Sequence, residues 1–134
     1  MRLAVALLFA CLFALGCEDA SKPVDPVWGK QACGHCAMLV SDPRYAAQLS
    51  TKDQSRVFFD DVGCMAGYVK ARHPNVQAMW VRDEGGHWLD ARTAHFDKGE
   101  KTPMDYGFVA KTGGTATWGD VEVAVDQREK GGAK

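Results

Sequence analysis

Apolar and polar residues alternate in short stretches through most of the chain, and the lengths of these stretches predict small strands rather than long helices. Tyr45-Ala46-Ala47-Gln48-Leu49 and Val57-Phe58-Phe59 read as two strands, and the polar stretch Ser50 to Arg56 joins them as a hairpin. Asp60-Asp61 ends the second strand and can cap a helix from Val62 to about Ala71, with Met65, Tyr68 and Val69 at helical spacing. His73-Pro74 closes that helix, because the residue before proline disfavours helical backbone. Ala78-Met79-Trp80-Val81 and Trp88-Leu89-Asp90-Ala91 form a second hairpin candidate around Gly85-Gly86. Thr93 to Phe96 is expected as an edge segment, Lys98 to Gly107 as a loop, and Phe108-Val109-Ala110 as a short apolar element. Thr115 to Val125, rich in Thr and Val, predicts one or two final strands broken at Gly119-Asp120. The fold class that follows is α+β, with small antiparallel sheet units and one clear helix.

The first residues follow a different pattern. Leu3 to Leu15 is an unbroken apolar run behind Arg2, too short for a comfortable membrane span but suited to an export signal. Ala14-Leu15-Gly16-Cys17 resembles a bacterial lipoprotein signal, in which cleavage precedes a cysteine lipidated on sulfur. Residues 1–16 are then the signal peptide and Cys17 the anchor, with simple secretory cleavage after Gly16 or Ala20 as the alternative. Residues 17–30, with Pro23, Pro26 and Gly29, are expected as a tether, 31–126 as the folded domain and 127–134 as a flexible tail. This predicts a body anchored to the cell envelope through lipid and facing the periplasm. The formal net charge of −1 provides no basic surface for a phosphate backbone, so nucleic acid is not an expected partner.

The candidate chemistry is concentrated in Cys33-Gly34-His35-Cys36-Ala37-Met38. With Cys17 lipidated, Cys33, Cys36 and Cys64 remain in the exported body, so one thiol stays unpaired whichever disulfide forms. The motif admits a redox dithiol, a structural disulfide, a zinc site or a Cu(I) site. Soft sulfur donors suit Cu(I), and a thioether narrows the choice toward it. Cys36 and Met38 share one side of an extended segment, as do Cys33 and His35. Cys64, in the first turn of the expected helix, is a further ligand candidate whose pKa the helix dipole would lower. Met104 in its loop is another. His73, His87 and His95 are expected in surface or structural roles. No phosphate-binding glycine loop or serine nucleophile signature occurs, which argues against an enzyme.

On these residues the chain resembles the NosL family, lipid-anchored copper-binding accessory proteins associated with maturation of nitrous oxide reductase. Cys33-Gly34-His35-Cys36-Ala37-Met38 is similar to the family's Cys-x-x-Cys-Gly-Met segment, with Ala37 where Gly is usual. Phe58-Phe59-Asp60-Asp61 before Cys64-Met65, the Met79 to Asp83 and Trp88 to Ala91 pair, Thr102-Pro103-Met104 and Gly113-Gly114 follow in the family's order. Cys64 is an addition to the usual segment. The resemblance spans about Lys30 to Trp118. It implies Cu(I) as cargo, Cys36 and Met38 as preferred ligands with Met104 or His35 completing the set, and a copper donor and a client copper enzyme as partners. A thiol-disulfide oxidoreductase using Cys33 and Cys36, or a non-catalytic anchored scaffold, are the alternatives.

Overall fold

In the computed structural model, which describes residues 19–132, apolar alternation is satisfied by a four-stranded antiparallel sheet in the order β2-β1-β3-β4. Its strands are β1 (Ala47–Thr51), β2 (Arg56–Phe59), β3 (Val76–Arg82) and β4 (Trp88–Asp90). Leu49 faces Val57 on one side and Met79 on the other, so β1 is central and β2 lies at an edge. Helix α1 (Val62–Arg72) follows β2 directly and packs on β1 and β2. Asp61 is its N-cap, accepting from Gly63 N–H at 2.9 Å, and His73 ends it in left-handed backbone at φ 47°. Both ends match the sequence expectation. A two-stranded ribbon of β5 (Phe96–Lys98) and β6 (Phe108–Ala110) completes the strands.

The end of the chain differs from expectation. Thr115 to Val125 does not supply strands: Trp118–Gly132 is a second helix, α2, packed against α1. The deciding signal is a cap. Thr117 N–H and Oγ1 both donate to Asp120 at 2.8 and 2.9 Å, the half of a capping box in which the third helical residue reaches back to the cap, and this starts a helix despite β-branched neighbours. Val121 and Val125, four apart, then share the buried face. Gln127 to Gly132, expected in a flexible tail, continue this helix, and Lys70 of α1 bridges Asp126 and Glu129 across the helix pair.

The stretch expected as a tether also lies down on the domain. Gln48 alternates to the face of β1 opposite Leu49, and its buried amide would be unsatisfied there. It donates to Val24 carbonyl at 2.7 Å and accepts Val24 N–H at 3.1 Å and Arg56 Nη1 at 2.7 Å. Asp25 anchors the same segment, accepting from Arg82 at 2.7 Å and Trp88 Nε1 at 2.9 Å. No helix among the described residues is long and apolar enough to cross a membrane. The expected signal segment and the lipidation candidate Cys17 lie outside the described residues.

Candidate metal centre

The motif forms a closed turn before it forms a site. Cys33 N–H donates to Met38 carbonyl at 2.7 Å and Ala37 N–H to Cys33 carbonyl at 3.1 Å, while Ala32 and Leu39 pair as an isolated bridge. Ala37 takes φ 64°, the left-handed region that glycine occupies without steric cost. That accounts physically for a glycine preference at this position.

Gly34 docks the turn onto the sheet edge. Its N–H donates to Phe58 carbonyl at 2.8 Å, and a Cβ there would fall 2.2 Å from Val57 Cγ1. This contact with β2 carries Cys33 and Cys36 to the point where the chain leaves the strand through Asp60 and enters α1. Cys64, the third residue of α1, arrives from the other side. The Sγ atoms of Cys33, Cys36 and Cys64 and a carboxylate oxygen of Asp60 all lie within 4.8 Å of one another. All three cysteines are free thiols. Cys33, Asp60 and Cys64 are buried, whereas Cys36 is only partly covered and marks the open side.

The three thiols differ electrostatically. Cys33 is held down to about 6, chiefly because the Cys64 thiol donates to it, with help from the backbone N–H groups of Cys36 and His35 against the effect of burial. Cys64 is pushed up in turn, since it serves as the donor to Cys33 and is itself buried. The helix dipole does not prevail there, contrary to the depressed pKa expected from the sequence. Cys36 is pushed up to about 12, first by burial and then by Cys33 and Asp60. Its thiol donates to Asp60 Oδ1 at 3.3 Å. Among the three thiols Cys33 is therefore the one most favoured to ionise, and the remaining thiol protons must leave when a cation binds to thiolates.

The other sequence candidates occupy different settings. His35 lies outside the four-residue cluster, its ring over α1 so closely that a Cβ on Gly67 would fall 2.9 Å from Nε2. Met38 is 49% exposed. Met104 is partly buried, with its N–H bonded to Asp61 Oδ2 at 3.0 Å. Asp60 was legible only as part of a cap pair. In the structure Asp61 is the cap and Asp60 is free to face the thiols. Burial pushes the Asp61 carboxyl up, opposed by hydrogen bonds from Thr102, Gly63 and Met104.

The fold is similar to that in the crystal structure of the copper chaperone NosL from Shewanella denitrificans, with a TM-score of 0.56 and 20% sequence identity over 79% of this chain and 87% of that one. The likeness establishes a NosL-like α+β fold. No protein-family model matches the sequence, and no curated protein matches it.

Proposed function

We propose that this NosL-like domain binds Cu(I) as cargo through Cys33, Cys36 and Cys64 and passes it to a client copper enzyme at the periplasmic face of the bacterial envelope, held there by a lipid on Cys17. The observation that carries the reading is the convergence of three free thiols within 4.8 Å of one another. Soft thiolates select Cu(I). Sulfurs sharing one ion at about 2.3 Å stand about 3.8 Å apart, so the cluster needs only a modest contraction. The copper chaperone with the similar fold points to the same ion.

Asp60 fits a supporting role. It accepts from the Cys36 thiol, and carboxylate oxygen is a poor match for a soft monovalent ion. Met38, exposed on the same turn, suits transient capture or hand-off. His35 is not in the group of thiols, and Met104 is kept as a completing ligand only by the family resemblance. Nitrous oxide reductase is the client suggested by the family resemblance.

A thiol-disulfide oxidoreductase also draws on the lowered pKa of Cys33. Against it, Cys33 is buried and thus closed to a client disulfide, and a third thiol and a carboxylate sit against the pair.

The test is Cu(I) competition between the reduced full chain and a Cu(I) chelator, followed by transfer to an apo copper enzyme. One ion per chain, lost on Cys33→Ser or Cys36→Ser, supports the reading. Failure of the reduced protein to compete at micromolar chelator strength contradicts it.

A further inference from the structure

The Thr102 to Gly107 loop is fastened to the helix that carries Cys64, and no role assigned so far explains the fastening. Asp61 is fully buried, and its carboxylate accepts from Gly63 N–H at 2.9 Å, Thr102 Oγ1 at 2.5 Å and Met104 N–H at 3.0 Å. The first bond caps α1. The other two cross to a loop about forty residues later in the chain and do nothing for the cap.

Thr102 is also buried, and the same hydroxyl accepts Gly107 N–H at 3.1 Å, which closes the loop on itself. Tyr106 then lies on Gly63 so tightly that a Cβ there would fall 2.0 Å from its ring. From outside, Arg128 of α2 sits over the Tyr106 ring at 4.5 Å and donates to Met104 carbonyl. The loop is thus pinned between a buried carboxylate and a surface guanidinium.

What it is pinned to matters for the thiols. Asp60 and Asp61 are consecutive: one touches Cys36, the other holds the loop. Cys64 N–H donates to Asp61 carbonyl at 3.0 Å, so Cys64 hangs from the clamped residue itself. Movement of Asp61 would shift a carboxylate and a thiol of the cluster together, relative to Cys33 and Cys36 on their separate turn.

We propose that Asp61 and Thr102 form a positioning clamp for the metal centre: by locking the Thr102 to Gly107 loop against the first turn of α1, they keep Asp60 and Cys64 in register with Cys33 and Cys36. The proposal rests on the metal-binding reading of the thiol cluster. None of these clamp groups is a ligand. Outer partners of this kind orient ligands, and their loss typically weakens metal binding by about 10- to 100-fold.

The experiment uses the reduced full chain with Cu(I) as probe, in wild type, Thr102→Val, Thr102→Ser and Arg128→Gln. Chelator competition gives affinity, chelator-driven loss gives the release rate, X-ray absorption gives the number of sulfur neighbours, and thermal melting reports folding. In folded Thr102→Val the affinity is expected to fall by at least about tenfold with faster release and fewer sulfur neighbours. Thr102→Ser restores all three. Arg128→Gln, at the surface, shows a smaller loss in the same direction. Wild-type affinity, release and sulfur count in folded Thr102→Val overturn the clamp even if melting falls. Where that variant does not fold, unchanged affinity and release in Arg128→Gln overturn it. Absence of Cu(I) binding by the wild type removes the metal reading and the clamp together, whereas normal wild-type binding with unaltered variants removes the clamp alone.

Discussion

Cys33 and Met38 belong to one six-residue turn and are joined by a 2.7 Å backbone hydrogen bond, yet their side chains live in opposite surroundings. Cys33 is buried among two other thiols and a carboxylate, whereas Met38 is half exposed. The motif spacing alone makes Cys36 and Met38 look like the natural ligand pair. Docking of the turn on β2 brings Asp60 and Cys64 to the thiol end, whereas Met38 stays half exposed. On this account the buried thiolates hold the ion and the exposed thioether serves its exchange.

The largest expected effect comes from breaking the thiol end. Cys64→Ser or Cys33→Ser should weaken Cu(I) binding by more than about 100-fold in chelator competition, because each removes a soft ligand rather than an outer partner. Met38→Leu should leave equilibrium affinity near wild type and slow transfer to a chelator or client. Equal losses in both sets would erase the distinction between the two ends. Asp60→Asn should fall between them, at about tenfold, since it removes the acceptor of the Cys36 thiol without removing sulfur.

The pH dependence sharpens the same contrast. Cys33 is lowered to about 6 from an ordinary 9.0, so the unfolded chain binds more protons between these values and stability of the apo protein rises with pH across them. This contribution is present in full above 9 and is lost as pH falls through 6. Cys36, raised to about 12, acts oppositely: its contribution is present below 9 and fades as pH climbs toward 12. Urea midpoints of the reduced apo protein should therefore rise between pH 6 and 9, and this slope should flatten in Cys33→Ser.

The smallest expected effect is at the strained hinge between the two ends. Ala37→Gly should stabilise the apo protein by about 1 kcal/mol in urea melts, because it relieves left-handed strain at φ 64°.

Much of this fold could be read from residue order. The β1–β2 hairpin, the Asp61-capped helix and the β3–β4 hairpin follow from local alternation, capping and turn chemistry, all decided within a few residues. Two features did not yield to that reading. In α2, the Val-rich composition argued for strands while the quieter Thr117 and Asp120 cap argued for a helix, and the cap prevailed. Gln48 in a central strand and Asp25 before Trp28 needed tertiary partners before the first segment could be seen as part of the domain.

The site was legible as chemistry but not as geometry. Cys33 and Cys36 announce themselves by spacing, and Cys64 stands out as a third thiol downstream of the motif. That Cys64 meets the other two depends on Gly34 approaching Val57 closely, a long-range fit that sequence spacing does not encode. Asp60 and Asp61 are indistinguishable in the sequence because they are adjacent and alike. Only the bend between β2 and α1 assigns one to the thiols and the other to the cap.

The most direct test of the central claim is X-ray absorption of the Cu(I)-loaded, reduced full chain beside its Cys64→Ser and Met38→Leu variants. Three sulfur neighbours in the wild type, still three in Met38→Leu and fewer in Cys64→Ser, is the expected result. A sulfur count that drops in Met38→Leu and holds in Cys64→Ser would contradict the account.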